Sequence, residues 1–236
     1  MKYFFSYCNV VIFLLFITAV DAQKTLSSGT VKMEITDVSS EDPQMAMGLE
    51  MMKGSQTQLY FKDNQHATYM DMMGGMIKIQ VHVQKENNTM NMLMDMMGNK
   101  SWIESALDEG QTEQQKQIAA QSTVEYDKSD TKKILGYNCY KMTITNPEMD
   151  GTTVTGYVTE DIKTKANLIQ GFQTLEFAGY AMEFTVSKSN FAVTMSAVDI
   201  KDTVDDNKFK FDTKGYKKMT MAELEKAMGG MGGFGF

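Results

Sequence analysis

Four short turn signals constrain this chain more than any other feature: Asp63-Asn64, Gly74-Gly75, Asn87-Asn88 and Gly98-Asn99. Pairs of Asp, Asn and Gly make the tight connections of β-hairpins. The runs between them are strand-length, rich in β-formers and too short for well-formed helices. Strands are therefore expected at Thr57–Lys62, His66–Met72, Met76–Gln84, Thr89–Met97 and Lys100–Ile103. In the third, Ile77, Ile79, Val81 and Val83 alternate with Lys78, Gln80, His82 and Gln84, so one face is apolar and the other polar. In the fourth, Met90, Met92, Met94 and Met96 alternate with Asn91, Leu93 and Asp95. Because successive strand side chains point to opposite faces, this run lays four thioethers on one side of a sheet.

The rest of the chain extends the pattern. Thr30–Thr36 alternates as a half-buried strand. Ser39-Ser-Glu-Asp-Pro43 reads as a helix start with a serine cap and early proline, opening a short helix over 42–53. Met45, Leu49 and Met52 recur on that helix at helical spacing, and the stripe is expected to pack on the sheet. Glu104–Gln121 is polar, an exposed helix or loop that would suit a lid. Further strands are expected at 124–126, 134–135, 139–145, 152–159, 181–187, 191–200 and 209–212. Between them, 161–177 is ambiguous, with Ile162, Leu168, Ile169 and Leu175 suited to a short helix. Thr220 with Glu223 three residues later forms a capping box for a terminal helix to Met228, and 229–236 is a flexible glycine-rich tail. The fold class is α+β. One large antiparallel sheet of this size curls, with two to four helices expected to cover its concave face.

The first 22 residues read as a Sec-type signal peptide: Lys2, an apolar run from Val10 to Val20, and cleavage after Ala22. The run is short for a membrane span. Residues 23–228 make one domain, expected in the periplasm or outside the cell. Cys139 remains as the single cysteine after cleavage, so no internal disulfide forms. The chain carries a net charge of −7 and contains no arginine. Such a chain lacks the basic patch that neutralises phosphates, so nucleic acid is not an expected partner.

The chemistry points away from catalysis. There is no Gly-x-Ser-x-Gly elbow, and His66 and His82 are the only histidines. No Cys/His spacing fits zinc, no loop fits calcium, and no cofactor is implied. Methionine is the outlier, with 23 in the chain and 13 of them between Met45 and Met97. Flexible, polarisable thioethers suit a ligand of loose shape. Met45, Leu49, Met52, Met70, Met72, Met90, Met92, Met94 and Met96 are therefore the expected lining for a lipid or other apolar ligand. The alternative is a copper(I) site, for which His66, Met70, Met72 and Met76 are the candidate ligands. A structural envelope protein without a small ligand is the third reading. Nothing in the sequence specifies an oligomeric state.

Lys132–Thr143 reads KKILGYNCYKMT, which resembles the K-x-I-x-G-Y-x-C-x-K signature of an exported-domain family of Gram-negative bacteria that has no assigned activity. Leu59-Tyr-Phe-Lys62 resembles the family's early YFKG strand, and Phe211 with Gly215-Tyr-Lys-Lys-Met219 resembles its closing segment, here without the proline. The family is similar to the lipoprotein-carrier (LolA/LolB-like) superfamily. That resemblance implies a half-open β-barrel with helices as a lid over an apolar cavity; an envelope protein is a candidate partner. Carriers hold the lid with an arginine near the cavity; this sequence has none. In the signature itself, Gly136 is expected in a turn and Cys139 as a small buried core residue.

Overall fold

The computed structural model describes residues 25–107, 113–147, 151–169 and 175–228. The signal segment and the glycine-rich tail expected from the sequence lie outside these residues. Six strands form a first antiparallel meander: β1 (Ser28–Ser40), β2 (Gln56–Lys62), β3 (Gln65–Met72), β4 (Ile77–Gln84), β5 (Thr89–Met96) and β6 (Asn99–Ala106). Five more form a second: β7 (Thr123–Ile134), β8 (Tyr137–Thr145), β9 (Thr153–Thr159), β10 (Tyr180–Lys188) and β11 (Phe191–Lys201). The meanders join where β1 pairs antiparallel with β11, from Thr30 opposite Lys201 to Ser40 opposite Phe191. A two-residue strand, β12 (Lys217–Lys218), adds parallel to β6. The result is one open 12-stranded sheet in the order β12-β6-β5-β4-β3-β2-β1-β11-β10-β9-β8-β7. With three short α-helices among the described residues, this is the α+β architecture expected from the turn pattern.

The turns form where their chemistry demands. Asp63 (φ 53°) and Asn88 (φ 50°) take the left-handed conformation that short polar side chains tolerate. In the β7–β8 hairpin Leu135 (φ 48°) and Gly136 (φ 90°) do the same, as expected of the glycine in the signature. Gly156 has a different reason: a Cβ there would sit 2.3 Å from the Glu183 carbonyl oxygen of the neighbouring strand. Only glycine lets β9 and β10 approach so closely.

Register sorts the first meander into two faces. Phe61, His66, Val83 and Met90 stand in one row, and Leu59, Thr68, Val81, Met92 and Ile103 in the next. Thr57, Met70, Ile79, Met94 and Ser101 follow, then Met72, Ile77 and Met96. This methionine face continues through Val31 and Met33 into the main core under the second meander, with Met142, Ile144, Val154, Met182 and Phe184. The cover over that core is the 162–177 segment, whose described residues are irregular rather than helical. Ile162, Ala166, Ile169 and Leu175 are buried, and backbone bonds between Leu26 and Asp161 and Lys163 tether it.

Three expectations about covering elements are corrected. The helix α1 (Pro43–Glu50) does form, but Asp42, not a serine, caps it, accepting from the Gln44 amide at 2.8 Å. It buries no residue. Because β1 stays paired with β11 up to Ser40, the helix begins beyond the end of the sheet, leaving Met45 exposed and Leu49 and Met52 only half-buried. Second, 104–121 is not one polar element. Glu104–Ala106 completes β6, and α2 (Glu113–Gln121) packs Ile118 against the main core. Asn146 fastens it, donating to the Ile118 carbonyl at 2.7 Å and the Ser122 hydroxyl at 2.9 Å. Third, 209–212 is not a strand. Residues 203–211 cross the opposite face of β2–β4 face-on, with a short 3₁₀ turn at Asp206–Phe209. Aromatic docking outcompetes strand pairing there: Phe209 is buried against Tyr60 and Ala67, and the Phe211 ring lies 5.1 Å from that of His82.

Candidate functional site

The chain from Thr203 to Met228 wraps one edge of the sheet. On the outer face, Tyr69 donates to the Lys208 carbonyl at 3.0 Å, Lys62 pairs with Asp206 at 2.7 Å, and the Lys208 ammonium lies over Tyr60 and Tyr69. The strap then rounds the edge as β12. The Met219 amide donates to the Trp102 carbonyl at 2.8 Å, and Lys218 lies 4.6 Å from the Trp102 ring centre while pairing with Glu104 at 2.9 Å. It ends as α3 (Met221–Met228) on the methionine face. The expected capping box is present: the Thr220 amide donates to Glu223 at 2.8 Å, and the Glu223 amide donates back to Thr220 Oγ1 at 3.2 Å.

Under α3, Leu224 meets Ile79, Met94 and Ile103, all buried. Around this plug Met70, Met72, Met92 and Met96 remain only half-buried, joined by Met219 and Met221 from the strap. Met90 is half-buried in the row beside Val83. The expected lining therefore divides. The residues of β3 and β5 share one surface. Met45, Leu49 and Met52 lie on and just after α1 and contribute to neither buried cluster; Met45 is 37% exposed.

The copper alternative is not assembled. His66 pairs with Val83 at one end of the β3–β4 hairpin, whereas Met72 pairs with Ile77, next to Met76, at the other. Six residues of strand separate the ends, roughly 20 Å. Between the sulfurs of β3 and those of β5 stand Ile77, Ile79 and Val81 of β4, so no row sets two methionines side by side. Among the described residues no group of three or more His, Cys, Asp and Glu is placed to hold a metal.

Beyond His66 the methionine face opens into a groove of about 660 Å³. Phe61, Ile162 and Phe177 give it apolar walls, and Lys85, Lys163 and Lys165 stand around it. Burial and the nearby Lys85 charge push the His66 imidazole down to about 4, so it is neutral at physiological pH. On the opposite face His82, which alternation placed on a solvated side, is 2% exposed. Neither ring nitrogen makes a hydrogen bond of normal geometry, although the Phe209 backbone comes close enough to favour the charged ring. Burial lowers its pKa to about 4, opposed only in part by the backbone of Phe209. Cys139 is 1% exposed and burial raises its thiol to about 11, so it is a core residue rather than a nucleophile.

The sequence reading missed Leu224, the strap methionines and the groove lysines. Leu224 had a local signal, since it follows Met221 on a capped helix. The lysines had none, because Lys85 and the pair Lys163 and Lys165 meet only through the topology.

No protein-family model matches the sequence, and comparison with curated proteins finds no match. Among solved structures the chain has matches of low sequence identity. It resembles the Mycobacterium tuberculosis lipoprotein LppX at 14% identity and a TM-score of 0.37, over 78% of this chain and 92% of that one. It resembles LprF from Mycobacterium bovis at 12% identity and a TM-score of 0.31, over 78% and 90%. Its likeness to MucB is 7% identity and a TM-score of 0.32, over 80% of this chain and 58% of MucB. No helix among the described residues is long and apolar enough to cross a membrane.

Proposed function

We propose that this is an exported, noncatalytic binding protein for a lipid or other apolar ligand of the cell envelope. The ligand lies along the methionine face, among Met70, Met72, Met90, Met92, Met94 and Met96. One observation carries the reading: this face is built of flexible thioethers, yet a helix of only eight residues covers it. A helix this short is not stable by itself in water, so α3 stays in place through Leu224 and its methionine neighbours. Emptying a Leu-sized site costs about 2–5 kcal/mol. A buried ligand methylene contributes about 0.8 kcal/mol. Three to six methylenes (order of magnitude) therefore offset displacement of Leu224, and a longer chain leaves a surplus for binding. Thioethers then mould to the chain without polar contacts.

Mass spectrometry of organic extracts from protein purified from its native envelope tests the reading. A stoichiometric lipid is expected. An empty extract together with stoichiometric copper by elemental analysis would replace it with the metal reading, and neither signal would leave a structural role. Export is checked separately: the mature N-terminus should be Gln23.

A further inference from the structure

We propose that the groove beside His66 is a head-group site for an anionic amphiphile, holding its carboxylate or phosphate while the chain runs onto the methionine face. The inference rests on the apolar-ligand reading and names the ligand's class. Its first support is continuity. His66 borders the groove and also stands in the row with Phe61, Val83 and Met90, so polar mouth and apolar face share one strand register. A volume of about 660 Å³ is that of a small-molecule site.

The second support is charge. The protein carries −7 overall, so a surface element taken at random is acidic. Around this groove Lys85, Lys163 and Lys165 face only Asp63 and Glu160. Glu160 is already engaged, accepting from the Tyr140 hydroxyl at 2.7 Å and from Lys128 at 3.4 Å. Among the described residues no ion pair is formed by the three groove lysines. Lysine is a compact point charge suited to an anion that arrives in varied orientations. His66, neutral and half-buried, adds a hydrogen-bond donor without adding a charge. The apolar walls of Phe61, Ile162 and Phe177 suit the first methylenes behind the head.

The test is calorimetric titration of the mature protein with palmitate, hexadecyl phosphate, hexadecanol and inorganic phosphate, at low and high salt. The same series is run on a Lys85→Gln, Lys163→Gln, Lys165→Gln variant, whose exposed positions leave the fold intact by circular dichroism. The two anionic amphiphiles should bind at least tenfold more tightly than hexadecanol. That preference should shrink with salt and vanish in the variant, while hexadecanol binding stays unchanged. Equal affinity for charged and neutral chains, or a preference that survives in the variant, overturns the head-group site and leaves the apolar-ligand reading standing. Inorganic phosphate binding as tightly as hexadecyl phosphate overturns the amphiphile in favour of a free anion. Failure of all three amphiphiles overturns both proposals.

Discussion

His82 offers the sharpest test of how the strap is held. Its ring lies between Tyr69, at 5.6 Å, and Phe211, at 5.1 Å, with both nitrogens buried and without a hydrogen bond of normal geometry. In the unfolded chain it titrates near 6.5; in the fold burial holds it down to about 4. Above pH 6.5 both states are neutral and the group adds no pH dependence. Between 6.5 and 4 the unfolded chain binds a proton the folded chain refuses, so stability falls as pH falls, levelling off below about 4. A shift of this size corresponds to about 3 kcal/mol. His66, also lowered to about 4, acts in the same direction, and it does so equally in parent and variant. The perturbation is His82→Leu. At pH 7.5 it removes two buried nitrogens that lack well-formed hydrogen bonds, a gain of about 1–3 kcal/mol, and loses ring contacts worth about 0.5–1.5 kcal/mol. The variant should therefore be as stable as the parent or about 1 kcal/mol more so. At pH 4.5 it should keep about 2–3 kcal/mol that the parent loses. Urea unfolding of both proteins at the two pH values measures this directly. An identical loss on acidification in parent and variant would refute the reasoning, because it would mean that the imidazole is hydrogen-bonded or hydrated in the fold.

Three further predictions follow from local packing. Leu224→Ala removes the centre of the cover over Ile79, Met94 and Ile103, so α3 should lift at a cost of about 2–5 kcal/mol; amide exchange in β5 and β6 should rise at least tenfold, and unchanged exchange would show that α3 is not what shields them. Gly156→Ala places a methyl 2.3 Å from the Glu183 oxygen and 3.0 Å from Phe184 Cα, which should cost about 1–3 kcal/mol in urea unfolding by prising β9 from β10; an unchanged midpoint would refute that close approach. Cys139, buried with its thiol raised to about 11, should resist iodoacetamide at pH 8 in the native protein and react readily in urea; equal rates would mean an open thiol.

What was legible in the sequence is what local chemistry decides. Turn residues and the two-residue period placed β2 to β6 within a few positions, because each hairpin is specified by its own turn and its own alternation. The Thr220–Glu223 cap was legible for the same reason, as both bonds lie within one helical turn. Which surface a helix covers is not local. The stripes Met45, Leu49, Met52 and Met221, Leu224 follow similar spacings, yet the first joins no buried cluster and the second packs onto the methionine face. The difference lies in the chain path. Pairing of β1 with β11 out to Ser40 carries α1 past the sheet, whereas the strap rounds β6 and delivers α3 onto it. Irregular segments hide in the same way: 162–169 and 203–211 have no period, but each buries part of a face that alternation alone describes as half-open. His82 is the consequence, a polar residue on a formally solvated face that an aperiodic segment has covered. The same division runs through the candidate site. Alternating methionines mark an apolar surface from sequence alone, but its occupant in this structure, Leu224, and the lysines at its mouth come from distant parts of the chain. On the proposed reading, the short helix that fills this surface gives way to an incoming chain whose charged head meets the lysines at the open end.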